Sequence, residues 1–152
     1  MIEISQEVLS ALVGAIVAFV ASYLILQQQF REGRKLARSQ LIIEFDNRLS
    51  LYDKIHSALR PNGGWDAQQH EPPQEIKWYE VDGYMGTFER LHQFIEDGII
   101  DKDIAKAFYR YRLVNLVKNK GIRQKKLSAE EQWWGRFIDL CKNLDVVIPP
   151  NA

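Results

Sequence analysis

The stretch "VLSALVGAIVAFVASYLIL", Val8 to Leu26, runs for nineteen residues without a charge. A helix rises about 1.5 Å per residue, so this one covers roughly 28 Å, close to the ~30 Å hydrocarbon core of a bilayer. A secretory signal peptide would need a basic start, a shorter apolar run and a cleavage site. Here Glu3 and Glu7 precede the run, which continues through Tyr23-Leu24-Ile25-Leu26 beyond its small residues. A buried core helix is disfavoured because no other segment has enough apolar surface to surround this one. The reading is an uncleaved, single-pass transmembrane helix. Arg31, Arg34, Lys35 and Arg38 follow it and no Lys or Arg precedes it. Positive flanks stay in the cytoplasm. Residues 1–7 are therefore expected outside, residues 8–26 in the bilayer and residues 27–152 in the cytoplasm.

The small residues of the span are patterned. At about 100° per residue, Ser10, Ala11, Gly14, Ala15, Ala18, Ala21 and Ser22 share one face roughly 140° wide. Ser10, Gly14, Ala18 and Ser22 form an unbroken small-xxx-small row. Helices in lipid associate by close backbone approach, which small side chains permit. The row is the expected self-association face of a homo-oligomer. Only Ser10, Ser22 and Tyr23 are polar within the span, which does not suit the wall of a water-filled pore.

Downstream, every segment has helical spacing. Phe30, Ala37, Leu41, Phe45, Leu49, Tyr52, Ile55 and Leu59 predict one long stem over residues 27–60. Pro61, Asn62-Gly63-Gly64 and Pro72-Pro73 break it into a loop over residues 61–75, with Trp65 expected to fold back on the core. Ile76 to Glu96 resumes the helical pattern and Asp97-Gly98 ends it. Asp101 is the expected N-cap of a helix through about Asn119, with Ile104, Phe108, Tyr111, Asn115 and Leu116 on one side and Gly121 as its stop. Ser128-Ala129-Glu130-Glu131 has the form of a capping box before a last helix carrying Trp133, Trp134, Phe137, Ile138, Cys141 and Leu144. No strand alternation of useful length occurs. The fold class is all-α: one membrane helix continuing into a cytosolic bundle of about four helices, with residues 76–148 as the helical domain.

The net charge of zero hides a segregation. Residues 61–103 have three basic and ten acidic side chains. Residues 104–129 have eight basic and none acidic: Lys106, Arg110, Arg112, Lys118, Lys120, Arg123, Lys125 and Lys126. Tyr109 and Tyr111 interleave with the arginines. Three roles suit this basic segment: complementing the acidic one within or between subunits, contacting anionic lipid, or binding a nucleotide or nucleic acid by charge and stacking.

The stretch "FERLHQFIEDGIIDKDIAKAFYRYRLVNLVKN", Phe88 to Asn119, resembles the DUF4760 family of uncharacterised bacterial membrane-anchored proteins. The shared features are a helix ending in Glu96-Asp97-Gly98, the Ile100-Asp101 opening of a basic and aromatic helix, and an N-terminal span before a polar helix. The resemblance implies a bacterial inner-membrane location and carries no catalytic residue.

No HExxH, phosphate-binding glycine loop or GxSxG elbow is present in the sequence. His92 and Glu96, four apart on a helix, supply at most half of a metal site. Cys141, the single cysteine, falls in an apolar helical pattern and reads as a buried thiol. The expectation is a non-enzymatic protein with no cofactor and no metal, held in the bilayer as a homo-oligomer. The alternative is a membrane effector gated by an anionic nucleotide.

Overall fold

The computed structural model describes residues 6–150, with side chains from Leu12 onward. The described residues form six α-helices and no strand. They divide into two compact units, one reaching Gln40 and the other beginning at Leu41. The first unit is the greater part of helix α1 (Gln6–Ser50). An apolar window of mean hydropathy 1.6 near its N-terminus is long enough to cross a membrane, and none of that window is buried. The helix is continuous through Gly33, whose surroundings are open.

The second unit contains the hydrophobic core. The end of α1 supplies Phe45 and Leu49. The chain then turns at Leu51-Tyr52 and restarts as α2 (Asp53–Leu59). The expected stem is thus interrupted without any glycine or proline. Tyr52 explains the break: its ring lies 5.6 Å from that of Tyr84, and its hydroxyl occupies the space a side chain at Gly83 would need. Helix α3 (Trp78–Glu96) buries Val81, Tyr84, Met85, Phe88 and Leu91, a helical stripe. Glu80 Oε2 accepts from the Lys77 N–H at 2.8 Å and starts this helix. Gly98, at φ 65°, turns the chain out of it.

Helix α4 (Lys102–Lys118) begins as expected, with Asp101 Oδ1 accepting the Asp103 N–H at 2.8 Å. Its inward face matches the expected one at Asn115 and Leu116 only. Ala105, Tyr109, Leu113, Leu116 and Val117 are buried, whereas Ile104, Phe108 and Tyr111 are exposed. Both stripes have helical spacing. The Tyr109 ring, 5.0 Å from that of Phe45, decides between them, with its hydroxyl donating to Asp46 at 2.8 Å.

Asn119 separates α4 from a single turn, α5 (Lys120–Ile122), which widens into a π-helical stretch over Arg123–Ser128. Gly121 is therefore not a helix stop. It sits inside α5 against the backbone carbonyl of His70, where a Cβ would overlap. The Ser128–Glu131 capping pattern does not open an α-helix either. A 3₁₀ turn follows at Glu131–Trp133, and α6 begins only at Gly135, running to Asn143. Its face of Phe137, Leu140 and Cys141 packs against α3, with the Phe137 and Phe88 rings 6.4 Å apart. Trp65 is buried, as expected, and so is Cys141, whose thiol burial pushes up to about 12.

Candidate functional site

The basic segment spends most of its charge inside the chain. Lys106 Nζ pairs with Asp145 at 2.5 Å, and Arg110 donates to the Asp145 carbonyl at 3.0 Å. Arg112 lies 3.3 Å from Asp53. Arg123 is buried and donates to the carbonyls of Val117 and Lys118 at 2.9 and 2.6 Å, which satisfies acceptors at the end of α4. Lys125 lies over the Trp78 ring at 4.3 Å. Lys126 is buried between Asp82 and Glu130, at 2.8 and 2.9 Å. Burial works to lower its pKa, but these carboxylates raise it above the ordinary lysine range. Among the described residues, only Lys126, through Asp82, joins the basic segment to the acidic 61–103 stretch by an ion pair. Asp53 and Asp145 come from either side of that stretch. Lys118 and Lys120 have no side-chain partner among the described residues. Gly14, Ala18 and Ser22 lie exposed along α1. The side chain of Ser10 lies outside the described residues.

A second cluster was not singled out by sequence reasoning. His56 on α2 is buried between tyrosines from two other helices. Its Nε2 meets Tyr111 Oη of α4, and its Nδ1 lies 3.3 Å from Tyr84 Oη of α3. Arg60 Nε donates to Tyr111 Oη at 2.9 Å, and its guanidinium lies 5.7 Å from the centre of that ring. Burial, then Arg112 and Arg60, lower the His56 pKa to about 4, so the imidazole is neutral at pH 7. A neutral imidazole donates at one nitrogen only. Because Arg60 donates to Tyr111 Oη, the Tyr111 hydroxyl is oriented to donate to Nε2, leaving Nδ1–H to donate to Tyr84. Burial pushes the Tyr84 hydroxyl up to about 12. This chain of hydrogen bonds fixes Arg60 by its Nε and leaves its terminal nitrogens unpartnered.

Arg60 also borders a cleft of about 510 Å³ between the Leu59–Gln69 segment and the end of α4. The wall is tied down at several points. The Trp65 N–H donates to the Ala58 carbonyl at 3.0 Å, Asn119 Nδ2 to the Asp66 carbonyl at 3.0 Å, and the Lys120 N–H to the Ala67 carbonyl at 2.7 Å. Asn62 and Gly64 adopt positive φ, 68° and 92°, to make the turn. Lys118, Asn115 and Trp65 line the same cleft. Trp65 Nε1 and Asn115 Nδ2 are buried donors with no acceptor. Each such group costs about 1–3 kcal/mol of stability.

His92 Nε2 contacts Glu96 at 3.5 Å, and no group of three metal-ligating side chains forms among the described residues. No family model, curated protein or solved structure matches this chain.

Proposed function

We propose that the chain is a single-pass membrane protein whose α-helical domain, from residue 41 onward, is a cytosolic, non-enzymatic binding module. Its N-terminus faces outward and the anchor self-associates through Ser10, Gly14, Ala18 and Ser22. The observation that carries this reading is the unburied apolar window of α1. Leu12, Val13, Ile16, Val17, Phe19 and Leu24 are all more than half exposed. Burying each such side chain is worth about 1.5–3 kcal/mol, so lipid lowers the free energy of this helix by on the order of 10 kcal/mol. The resemblance to DUF4760 agrees with an inner-membrane location. The basic flank from Arg31 to Arg38 supports the orientation.

The test uses the full chain. It should stay in the membrane pellet after alkaline carbonate extraction; release into the supernatant would remove the anchor. A cysteine replacing Ser5 should react with an impermeant maleimide on intact cells, and one replacing Ser39 only after lysis. Cys141, buried and with its thiol pushed up to about 12, gives little background. The reverse labelling pattern would invert the topology. Gly14→Ile should dissociate the oligomer in mild detergent, and an unchanged mass would rule out the small-residue face.

The alternative, an effector gated by an anionic nucleotide, is favoured by one observation: Lys118 and Lys120 have no partner among the described residues, where the other six cations of the basic segment are ion-paired, bonded to carbonyls or set over an aromatic ring.

A further inference from the structure

The cleft beside Arg60 has an excess of donors. The guanidinium is anchored at Nε by Tyr111 Oη, so its terminal fork is held without an acceptor. Lys118 is exposed on the same cleft and has no carboxylate partner. Trp65, 1% exposed, and Asn115, 9% exposed, also line it, each with a buried N–H group that has no acceptor among the described residues. Asp66 is the one acidic side chain of the lining. Two cations and two neutral donors against one carboxylate call for a ligand that brings acceptor oxygens and negative charge.

We propose that this cleft binds a soluble phosphate ester, with the Arg60 fork and the Lys118 ammonium on the phosphate oxygens and the Asn115 and Trp65 N–H groups on acceptor oxygens beneath them. An arginine fork matches two phosphate oxygens at once, and lysine adds a point charge. The volume falls in the range that holds small metabolites rather than a bare ion. No aromatic face is presented for base stacking, because the Trp65 ring is buried edge-on to Trp78 at 5.8 Å. Recognition is therefore of the phosphate and its ester oxygens rather than of a nucleobase. Neither buried nitrogen reaches solvent in the empty cleft, so ligand oxygens meet them only on a shift of the Asn62–Gly64 turn. The site is independent of the membrane reading, since all of its residues belong to the second unit.

The experiment is titration of the full-length protein, in nanodiscs of neutral lipid at low salt, with AMP, ribose 5-phosphate and inorganic phosphate. Calorimetry and the indole N–H resonances are read together, and Trp65→Phe assigns the Trp65 signal. The expected result is saturable binding of both esters, tighter than inorganic phosphate, with a downfield shift of the Trp65 indole proton. Lys118→Glu should weaken binding at least tenfold, and Arg60→Ala by a similar factor. Lys118 is exposed, so its variant keeps the fold, checked by the remaining indole signals. Absence of binding by all three probes would overturn the proposal. So would binding that Lys118→Glu leaves unchanged.

Discussion

Replacing Gly121 by alanine adds a single methyl group, and the structure assigns it a definite cost. The new Cβ overlaps the main-chain carbonyl of His70, which cannot rotate away as a side-chain tip would. The segment carrying His70 must lift from α5. Overpacking of this kind costs about 1–3 kcal/mol. The lift also stretches the bond from the Lys120 N–H to the Ala67 carbonyl, now 2.7 Å, worth about 0.5–1.5 kcal/mol. Against this, alanine favours helix over glycine by up to about 1 kcal/mol. The net expectation is a loss of about 1–3 kcal/mol, or roughly 4–12 °C in Tm for a domain of this size. Thermal and urea unfolding of the full chain, followed by near-ultraviolet circular dichroism, measures it. Limited proteolysis should cut faster between residues 66 and 70. A variant as stable as the parent, or more stable, would refute the docking of this segment on α5 and return Gly121 to the role of a simple helix stop.

Phe137→Ala should cost about 3–5 kcal/mol in urea unfolding, because its ring is fully buried against Phe88; a cost below 1 kcal/mol would contradict the α3–α6 core. The folded His56 pKa of about 4 lies below the ordinary 6.5, so the unfolded chain binds the extra proton between these values. Stability is therefore full above about pH 6.5 and falls by up to about 3 kcal/mol as pH drops toward 4, a dependence that His56→Phe should remove. Asp101→Ala should cost about 1 kcal/mol through loss of the cap on Asp103, and no change in urea midpoint would deny the cap.

Helix content and the apolar span were legible because both rest on periodicity and length, which are local. The inward face of α4 was not. Ile104-Phe108-Tyr111 and Ala105-Tyr109-Leu113 are equally helical in spacing, and the choice depends on Phe45 and Asp46, more than sixty positions earlier for Tyr109. The turn at Leu51-Tyr52 has no breaker residue and is set by Tyr84 and Gly83. The Ser128–Glu131 pattern predicts a helix start, but Ser128 ends the π-helical stretch and only a 3₁₀ turn follows it. Charge segregation was visible, while the partners of the individual cations were not, since Asp53 and Asp145 lie far along the chain from the arginines and lysine they meet. The cleft draws on two segments far apart in the chain, Leu59–Gln69 and Asn115–Asn119, and a donor without an acceptor has no signature in sequence. Lys118, one of the eight cations of the basic segment, is the part of it that the charge pattern marks.

The widened turn from Arg123 to Ser128 has a consequence for how the chain can change in length. Its bonds span five residues, as from the Ala129 N–H to the Gln124 carbonyl at 3.1 Å, where an α-helix spans four. It therefore accommodates one residue beyond what an ordinary helix needs to join the same two ends. A one-residue deletion here can be absorbed by tightening to α-helical bonding, leaving Ile122 and Leu127 on the sides they now occupy. The same deletion inside α3 would turn every later side chain by about 100° and carry its buried stripe into water. In a lineage of such proteins, loss of a single codon here would disturb the fold less than loss of one inside α3.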